Sequence, residues 1–110
     1  MKIVFKSNSL KKTCTKQKKA RKKFGNKVAD KLIQRLYELQ AFDNLQQVPH
    51  KPPFRRHKLG GQYSGCFSID LVQGYRLVFK PVGDSGQNED ELELKEIEKI
   101  IIWEVTDYHG

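Results

Sequence analysis

The sequence predicts an α+β domain in which two N-terminal helices pack on one face of a mainly antiparallel sheet, in the order β-α-α-β-β-β. Three patterns predict this class: a β-hairpin over residues 66–80, an amphipathic helix over residues 26–41 and an apolar strand over residues 100–106. With 110 residues, we expect a single domain, 1–110, that buries one core.

The hairpin pattern is the centre of this prediction. On both sides of a turn that contains Gly74, apolar and polar residues alternate with a period of two. The apolar face would carry Phe67, Ile69, Leu71, Tyr75, Leu77 and Phe79. The opposite face carries Arg76 at a rigid strand position, so it is the candidate functional face.

The chain before the hairpin begins with a short predicted strand, 1–6, and continues into a basic helix, 10–24. Ser7 and Ser9 are both possible N-caps of this helix, and Gly25 is its expected end. The helix has a thin apolar stripe, and lysine and arginine occupy most of its remaining positions. It therefore presents a broad cationic face.

The second predicted helix, 26–41, gives the strongest helical signal in the chain. Its apolar residues recur at intervals of three and four and are Val28, Ala29, Leu32, Ile33, Leu36 and Leu39. We expect them to cover the apolar side of the hairpin. One more turn is expected over residues 43–48, and Pro49, Pro52 and Pro53 then favour an extended connection.

Charge divides the sequence into two parts. Residues 1–58 hold 17 Lys/Arg and 3 Asp/Glu, a net charge of +14, whereas residues 59–110 hold 4 and 10, a net charge of −6. A basic half of this density is typical of proteins that bind nucleic acid or the ribosome; a lysine-rich surface that only keeps the protein in solution is the alternative. The narrow apolar stripe of the basic helix makes a membrane surface a weaker candidate.

Composition also limits the compartment and the cofactors. The sequence has no run of about 18 apolar residues and no apolar stretch behind its first lysines, so we expect no membrane span, no signal peptide and a cytoplasmic location. Cys14 and Cys66 are expected as free thiols, with a disulfide as the alternative. His50, His57 and His109 lack the spacing of metal ligands, so neither a metal nor another cofactor is expected.

Three groups of residues are candidates for chemistry: a basic segment, an arginine in the hairpin and the C-terminal residues. They are Arg55, Arg56, His57, Lys58, Arg76, Asp107, Tyr108 and His109. Histidine and carboxylate exchange protons near neutral pH, arginine binds phosphate with two parallel hydrogen bonds, and tyrosine stacks on a base. RNA cleavage requires these functions. If the last strand lies beside the hairpin, the three groups can come together on the face away from the helices.

Each candidate also has an ordinary structural explanation. His109 can be a frayed terminal residue, Asp107 can pair with a nearby lysine, and Arg76 can be an exposed strand residue. Residues 55–58 can belong to a solvated basic surface. Cys66 is expected to be a small core residue rather than a nucleophile.

Four segments resemble the HigB group of the RelE/ParE superfamily, toxins of type II toxin–antitoxin systems that include plasmid maintenance killer proteins. They are His-Lys-Leu at 57–59, Gly-Cys-Phe-Ser at 65–68, Gly-Tyr-Arg-Leu-Val-Phe at 74–79 and Val-Thr-Asp-Tyr-His at 105–109. Residues 35–41 also resemble the second helix of this family. The resemblance covers nearly the whole chain and implies the RelE/ParE-like fold.

The resemblance implies a ribosome-dependent, metal-independent mRNA endoribonuclease that inhibits translation and is neutralised by a HigA-like helix-turn-helix antitoxin. By position, Arg76 would bind the phosphate, and Asp107 and His109 would move protons or position the substrate, with Tyr108 beside them. Residues 55–58 would bind RNA. The expected products are a 2′,3′-cyclic phosphate and a 5′-hydroxyl.

The sequence departs from the family pattern at two positions. Gly60 stands where many HigB-like sequences have lysine, and Asp70 stands where many have a basic residue. Arg55, Arg56 or Lys58 are candidates to supply the missing charge, and weak activity is the alternative.

Two other functions are compatible with the same fold. One is a non-nucleolytic ParE-like gyrase inhibitor, and the other is a basic RNA- or ribosome-binding module. The acidic segment 84–98 is also longer than in compact members of the family, and we expect it to be a flexible loop followed by exposed residues.

Overall fold

The computed structural model describes residues 1–83 and 93–107, which form a layer of helices on one face of a five-stranded sheet. The helices are α1 (Asn8–Thr15), α2 (Gln17–Phe24) and α3 (Asn26–Ala41). The strands are β1 (Lys2–Phe5), β2 (His57–Lys58), β3 (Phe67–Asp70), β4 (Tyr75–Pro81) and β5 (Lys99–Asp107). Short 3₁₀ turns lie at Leu45–Gln47, Gly61–Tyr63 and Leu94–Glu96.

The sheet has the strand order β1-β5-β4-β3-β2. β1 runs parallel to β5, and the other three pairs are antiparallel. The predicted class, helices on one face of a mainly antiparallel sheet, is therefore confirmed. Within the described ranges, the structure differs from the predicted order by one more helix and by the short strand β2.

The additional helix arises because the predicted helix 10–24 divides at Lys16, whose backbone is extended with φ −99° and ψ 110°. Thr13 and Thr15 donate their hydroxyl hydrogens to backbone carbonyls one turn earlier, at 3.0 and 2.6 Å. Such bonds to the preceding turn weaken and bend helices, which favours the break. Ser7 is the N-cap of α1, one of the two predicted caps.

The hairpin forms as its alternation predicts. β3 and β4 are joined by a turn in which Gln73 and Gly74 have φ values of 55° and 80°, a left-handed conformation that glycine adopts without strain. The register opposes Phe67 to Phe79, Ser68 to Val78, Ile69 to Leu77 and Asp70 to Arg76. Since opposed residues share a face, Asp70 and Arg76 lie together on the face away from the apolar core.

The core fills the space between the helices and the sheet. Its helical part includes Val28, Leu32, Leu36 and Leu39, four of the predicted α3 residues, and Cys14 of α1. Its sheet part is Phe67, Ile69, Leu71, Leu77, Phe79, Ile100 and Ile102. The predicted role of α3, covering the apolar side of the hairpin, is thus confirmed.

Both cysteines are free and buried. Burial raises the pKa of the Cys14 thiol to about 11, so this thiol stays protonated at neutral pH. Among the described residues, no helix combines the length and the apolar character that crossing a membrane requires.

Arg35 is a buried cation that connects the helical layer to β3. Only 3% of its surface is exposed, although it lies in the helix that supplies the apolar core. Its Nε donates to the carbonyl of Asp70 at 3.3 Å, and its Nη1 donates to Glu38 at 2.7 Å. The guanidinium also lies over the Phe54 ring, 4.6 Å from the centroid. These contacts fix α3 against the hairpin.

We expect Arg35→Ala to lower the free energy of unfolding by about 3 kcal/mol, because Asp70 and Glu38 lose a buried, hydrogen-bonded partner. Guanidinium denaturation measures the change. Lys27→Ala removes an exposed cation from the same helix and should cost less than about 0.5 kcal/mol. Equal losses in the two variants would contradict a structural role for Arg35.

Candidate functional site

The face of the sheet opposite the helices, termed the open face here, carries the polar residues of the hairpin. The register assigns to it His57, Ser68, Asp70, Arg76, Val78, Glu104 and Thr106. Part of this face is covered, since Ser68 and Val78 are buried and the Tyr63 hydroxyl donates a hydrogen bond to Glu104 across it. Arg76 lies at the uncovered end.

A pocket of about 240 Å³ opens beside Arg76. Its lining consists of His50, Arg55, Arg56, His57 and Arg76, and this group is termed the basic pocket. All five lining side chains are arginine or histidine. A concave site of this composition attracts anions, and its arginines match the geometry of a phosphate.

Asp70 places a carboxylate at the edge of the basic pocket. Its Oδ2 lies 3.2 Å from Nη1 of Arg55, and its Oδ1 lies 3.6 Å from Nε of Arg76. The side chain of Asp70 is 25% exposed, so solvent screens these ion pairs only in part. The carboxylate therefore orients both guanidinium groups and neutralises part of their charge.

Arg55 is held by an unusual backbone. Its φ of 50° lies in the left-handed region, which is strained for a residue with a side chain. Its N–H donates to the carbonyl of Lys51 at 3.0 Å, and the carbonyl of Phe54 accepts from the N–H of Asp70 at 2.7 Å. These two bonds fix the strained residue next to β3, which directs the Arg55 side chain to Asp70.

Arg56 has a different environment from Arg55. Its Nη1 donates to the carbonyls of Leu45, Gln46 and Val48 at 2.9, 3.3 and 2.7 Å. Burial lowers the pKa of Arg56 from its usual range. The side chain thus holds the 3₁₀ turn at Leu45–Gln47 against the basic pocket through Nη1, which carries two of its five N–H donors.

The remaining candidates are not all brought together. Lys58 opposes Phe67, on the helical side of the sheet, and lines a second cavity of about 670 Å³. Asp107, the last described residue of β5, opposes Tyr75, the neighbour of Arg76 in β4. Tyr108 and His109 lie outside the described residues, as do residues 84–92 of the acidic segment. Their roles stay predictions.

His50 is a pocket residue that the sequence did not indicate as part of the site. It follows Pro49, whose carbonyl accepts a hydrogen bond from the N–H of Arg56 at 3.0 Å, and this contact brings His50 to the pocket. An extended proline-rich connection has no periodicity that assigns a residue to a face. The sequence therefore contained no signal for this position.

No protein-family model matches the chain, and no curated protein sequence matches it. Among solved structures, the chain is similar to the YoeB-YefM complex from Staphylococcus aureus, with a TM-score of 0.55 and 16% sequence identity. The alignment covers 100% of this chain and 98% of that chain. At this identity the likeness concerns the fold alone, and it agrees with the predicted α+β arrangement of helices on one face of a mainly antiparallel sheet.

We expect Asp70→Asn to strengthen the binding of inorganic phosphate at the basic pocket about tenfold, because a unit charge about 4 Å away contributes ~1–4 kcal/mol near a protein surface. NMR titration of the arginine Nε–H signals measures this affinity. Asp30→Asn is the matched control, since Asp30 is ion-paired with Arg21 at 3.0 Å in the helical layer. If both variants bind phosphate more tightly to the same extent, the affinity depends only on the net charge of the protein.

Proposed function

We propose that this protein is the toxin of a type II toxin–antitoxin system and a ribosome-dependent mRNA endoribonuclease that acts in the cytoplasm. The RelE/ParE-like fold and the HigB-like segments of the sequence support this proposal. The observation that carries the nuclease activity is the basic pocket, in which two histidines lie beside Arg76.

In the proposed reaction, Arg76 and Arg55 bind the non-bridging oxygens of the scissile phosphate and stabilise the charge that develops on them. A neutral histidine, His57 or His50, removes the proton of the 2′-hydroxyl. The 2′-oxygen then attacks phosphorus, and the bond from phosphorus to the 5′-oxygen breaks. The second histidine, protonated, donates a proton to that leaving oxygen.

This reaction yields a 2′,3′-cyclic phosphate and a 5′-hydroxyl, and the proton taken from one oxygen is balanced by the proton given to the other. His109, oriented by Asp107, is the further candidate for one of the two proton transfers. Tyr108 is the candidate for stacking on a base of the message. Lys58 and Arg56 would contribute positive charge around the bound strand.

The proposed partner is a HigA-like helix-turn-helix antitoxin. The similar solved structure is a complex of YoeB with YefM, which supports a protein partner for this fold. The exposed lysines of α1 and α2 favour a partner that presents acidic residues. An adjacent reading frame with helix-turn-helix spacing, whose product restores growth when co-expressed, would support the assignment.

A basic RNA- or ribosome-binding module without cleavage is the second candidate. The observation that favours it is the Asp70 carboxylate, which already engages two of the cations that would bind phosphate. This module would bind RNA in a salt-sensitive way and leave messages intact. A ParE-like gyrase inhibitor would instead leave messages intact while damaging DNA.

We expect Arg76→Ala and His57→Ala each to lower mRNA cleavage by about 10² or more, because each removes a group that acts in the transition state. Primer extension on messages from induced cells and the relief of growth arrest measure the effect. Arg21→Ala removes an exposed arginine from the helical layer and should leave cleavage unchanged. Unchanged cleavage in both pocket variants, with native circular dichroism, would exclude the proposed chemistry.

Gly60 stands where many HigB-like sequences have lysine, so replacing it tests whether a lysine at this position promotes cleavage. Its backbone is extended, with φ −123°, and an added Cβ would meet no described atom within 4 Å. We therefore expect Gly60→Lys to fold normally and to raise cleavage by up to about tenfold, because the added charge would strengthen binding of the RNA strand. Gly61→Lys adds the same charge at a φ of 61° and should be less stable by about 1 kcal/mol.

The two glycine variants separate a local effect from a change in net charge. If cleavage rises equally in both, the position of the added cation is unimportant. If Gly60→Lys keeps its melting temperature and shows no increase in cleavage, then the existing arginines already supply the charge that many HigB-like sequences obtain from lysine.

A further inference from the structure

A second group of residues on the open face lies at the far end of β4 from Arg76. The Nζ of Lys6 lies 4.4 Å from the ring centroid of Trp103, and the Nζ of Lys80 lies 5.6 Å from it. The indole is partly exposed, and three neighbouring strand segments contribute to the group. It therefore combines a flat aromatic surface with two positive charges.

An irregularity in the sheet presents this tryptophan. The register between β4 and β5 passes from Val78 opposite Glu104 to Phe79 opposite Ile102, so Trp103 has no direct partner on β4. An extra residue of this kind redirects a side chain and bends the strand. The bulge thus allows Trp103 to reach Lys80, whose neighbour Phe79 points into the core on the other face.

We infer that Trp103, Lys6 and Lys80 form a nucleobase-binding subsite for single-stranded RNA. A base would stack on the indole in place of a lysine ammonium group, and the two ammonium groups would contact the phosphates that flank the base. This inference rests on the proposed function, since it extends the substrate site from the basic pocket along the same face. No catalytic role is assigned to the three residues.

The two sites are joined by a continuous strand. Arg76, Val78 and Lys80 are alternate residues of β4 on the open face, so about 13 Å of strand separates Arg76 from Lys80 at ~3.3 Å per residue. Between them, Tyr63 donates its hydroxyl hydrogen to Glu104. This bond and the buried Val78 cover the face between the two sites, so an RNA strand that reaches both would cross over these side chains.

The competing explanation is that the lysines merely pack on the indole to shield it from water. That arrangement needs no ligand and is common on exposed sheets. The two explanations differ in one observable property. A base that stacks on Trp103 changes the fluorescence emission of the indole. If the lysines only shield the ring, RNA that binds through its phosphates leaves that emission unchanged.

Trp103 is the single tryptophan of the chain, so intrinsic fluorescence reports on this position alone. The experiment titrates the full-length protein with a 2′-O-methyl oligoribonucleotide, which lacks the 2′-hydroxyl needed for cleavage. We expect saturable quenching of at least about half the emission. The same titration with inorganic tripolyphosphate, which has charge but no base, should leave the emission nearly unchanged.

Variants test whether the ring contributes to affinity, measured by fluorescence anisotropy of the labelled oligonucleotide. Trp103→Ala should weaken binding about tenfold, whereas Trp103→Phe keeps an aromatic ring and should weaken it less than about threefold. The double variant Lys6→Ala, Lys80→Ala should lower the slope of log affinity against log salt by about one to two. Tyr37→Ala removes an exposed aromatic residue from α3 and serves as the control with unchanged affinity.

Four results would overturn the subsite. The first two are anisotropy that reports binding while Trp103 emission stays constant, and equal quenching by tripolyphosphate. The other two are full affinity in folded Trp103→Ala and an oligonucleotide that does not bind at all. Primer extension decides the nuclease proposal separately. If RNA quenches the Trp103 emission but messages stay uncut, the subsite is supported and the nuclease activity is excluded.

Discussion

Asp70 joins the helical layer, the hairpin and the basic pocket through a single residue. Its backbone carbonyl accepts a hydrogen bond from the buried Arg35 of α3, and its carboxylate contacts Arg55 and Arg76. A shift of α3 would therefore be transmitted to the guanidinium groups through one short connection. The geometry of the pocket thus depends on the packing of the core behind it, and a buried cation on one face orients the exposed cations on the other.

The sheet register decides which residues can act together. His57 and Arg76 share the open face because β2, β3 and β4 pair in the observed register, with Ser68 and Asp70 between them. Shifting one strand by a single residue would move its side chains to the helical face. The short turn at Gln73-Gly74 fixes the register of the hairpin, so the position of Arg76 is well determined by local sequence.

The sequence predicted what local periodicity controls. Alternation in the hairpin predicted the two faces, and the three- and four-residue spacing in α3 predicted most of the helical part of the core. It could not predict that Asp107 opposes Tyr75, because the register of β5 depends on a bulge at Trp103 that no local pattern encodes. It missed His50 for a related reason: long-range contacts, rather than periodicity, position a proline-rich connection.

The parallel pairing of β1 with β5 has a consequence for biosynthesis. β1 leaves the ribosome first, but its partner in the sheet follows every other described element and lies between β1 and β4. A nascent chain without β5 has no strand to join β1 to β4, and contacts of such long sequence separation form late in folding. β1 therefore stays unpaired until β5 has been synthesised, so the complete five-stranded sheet forms only after nearly all of the described chain has left the ribosome.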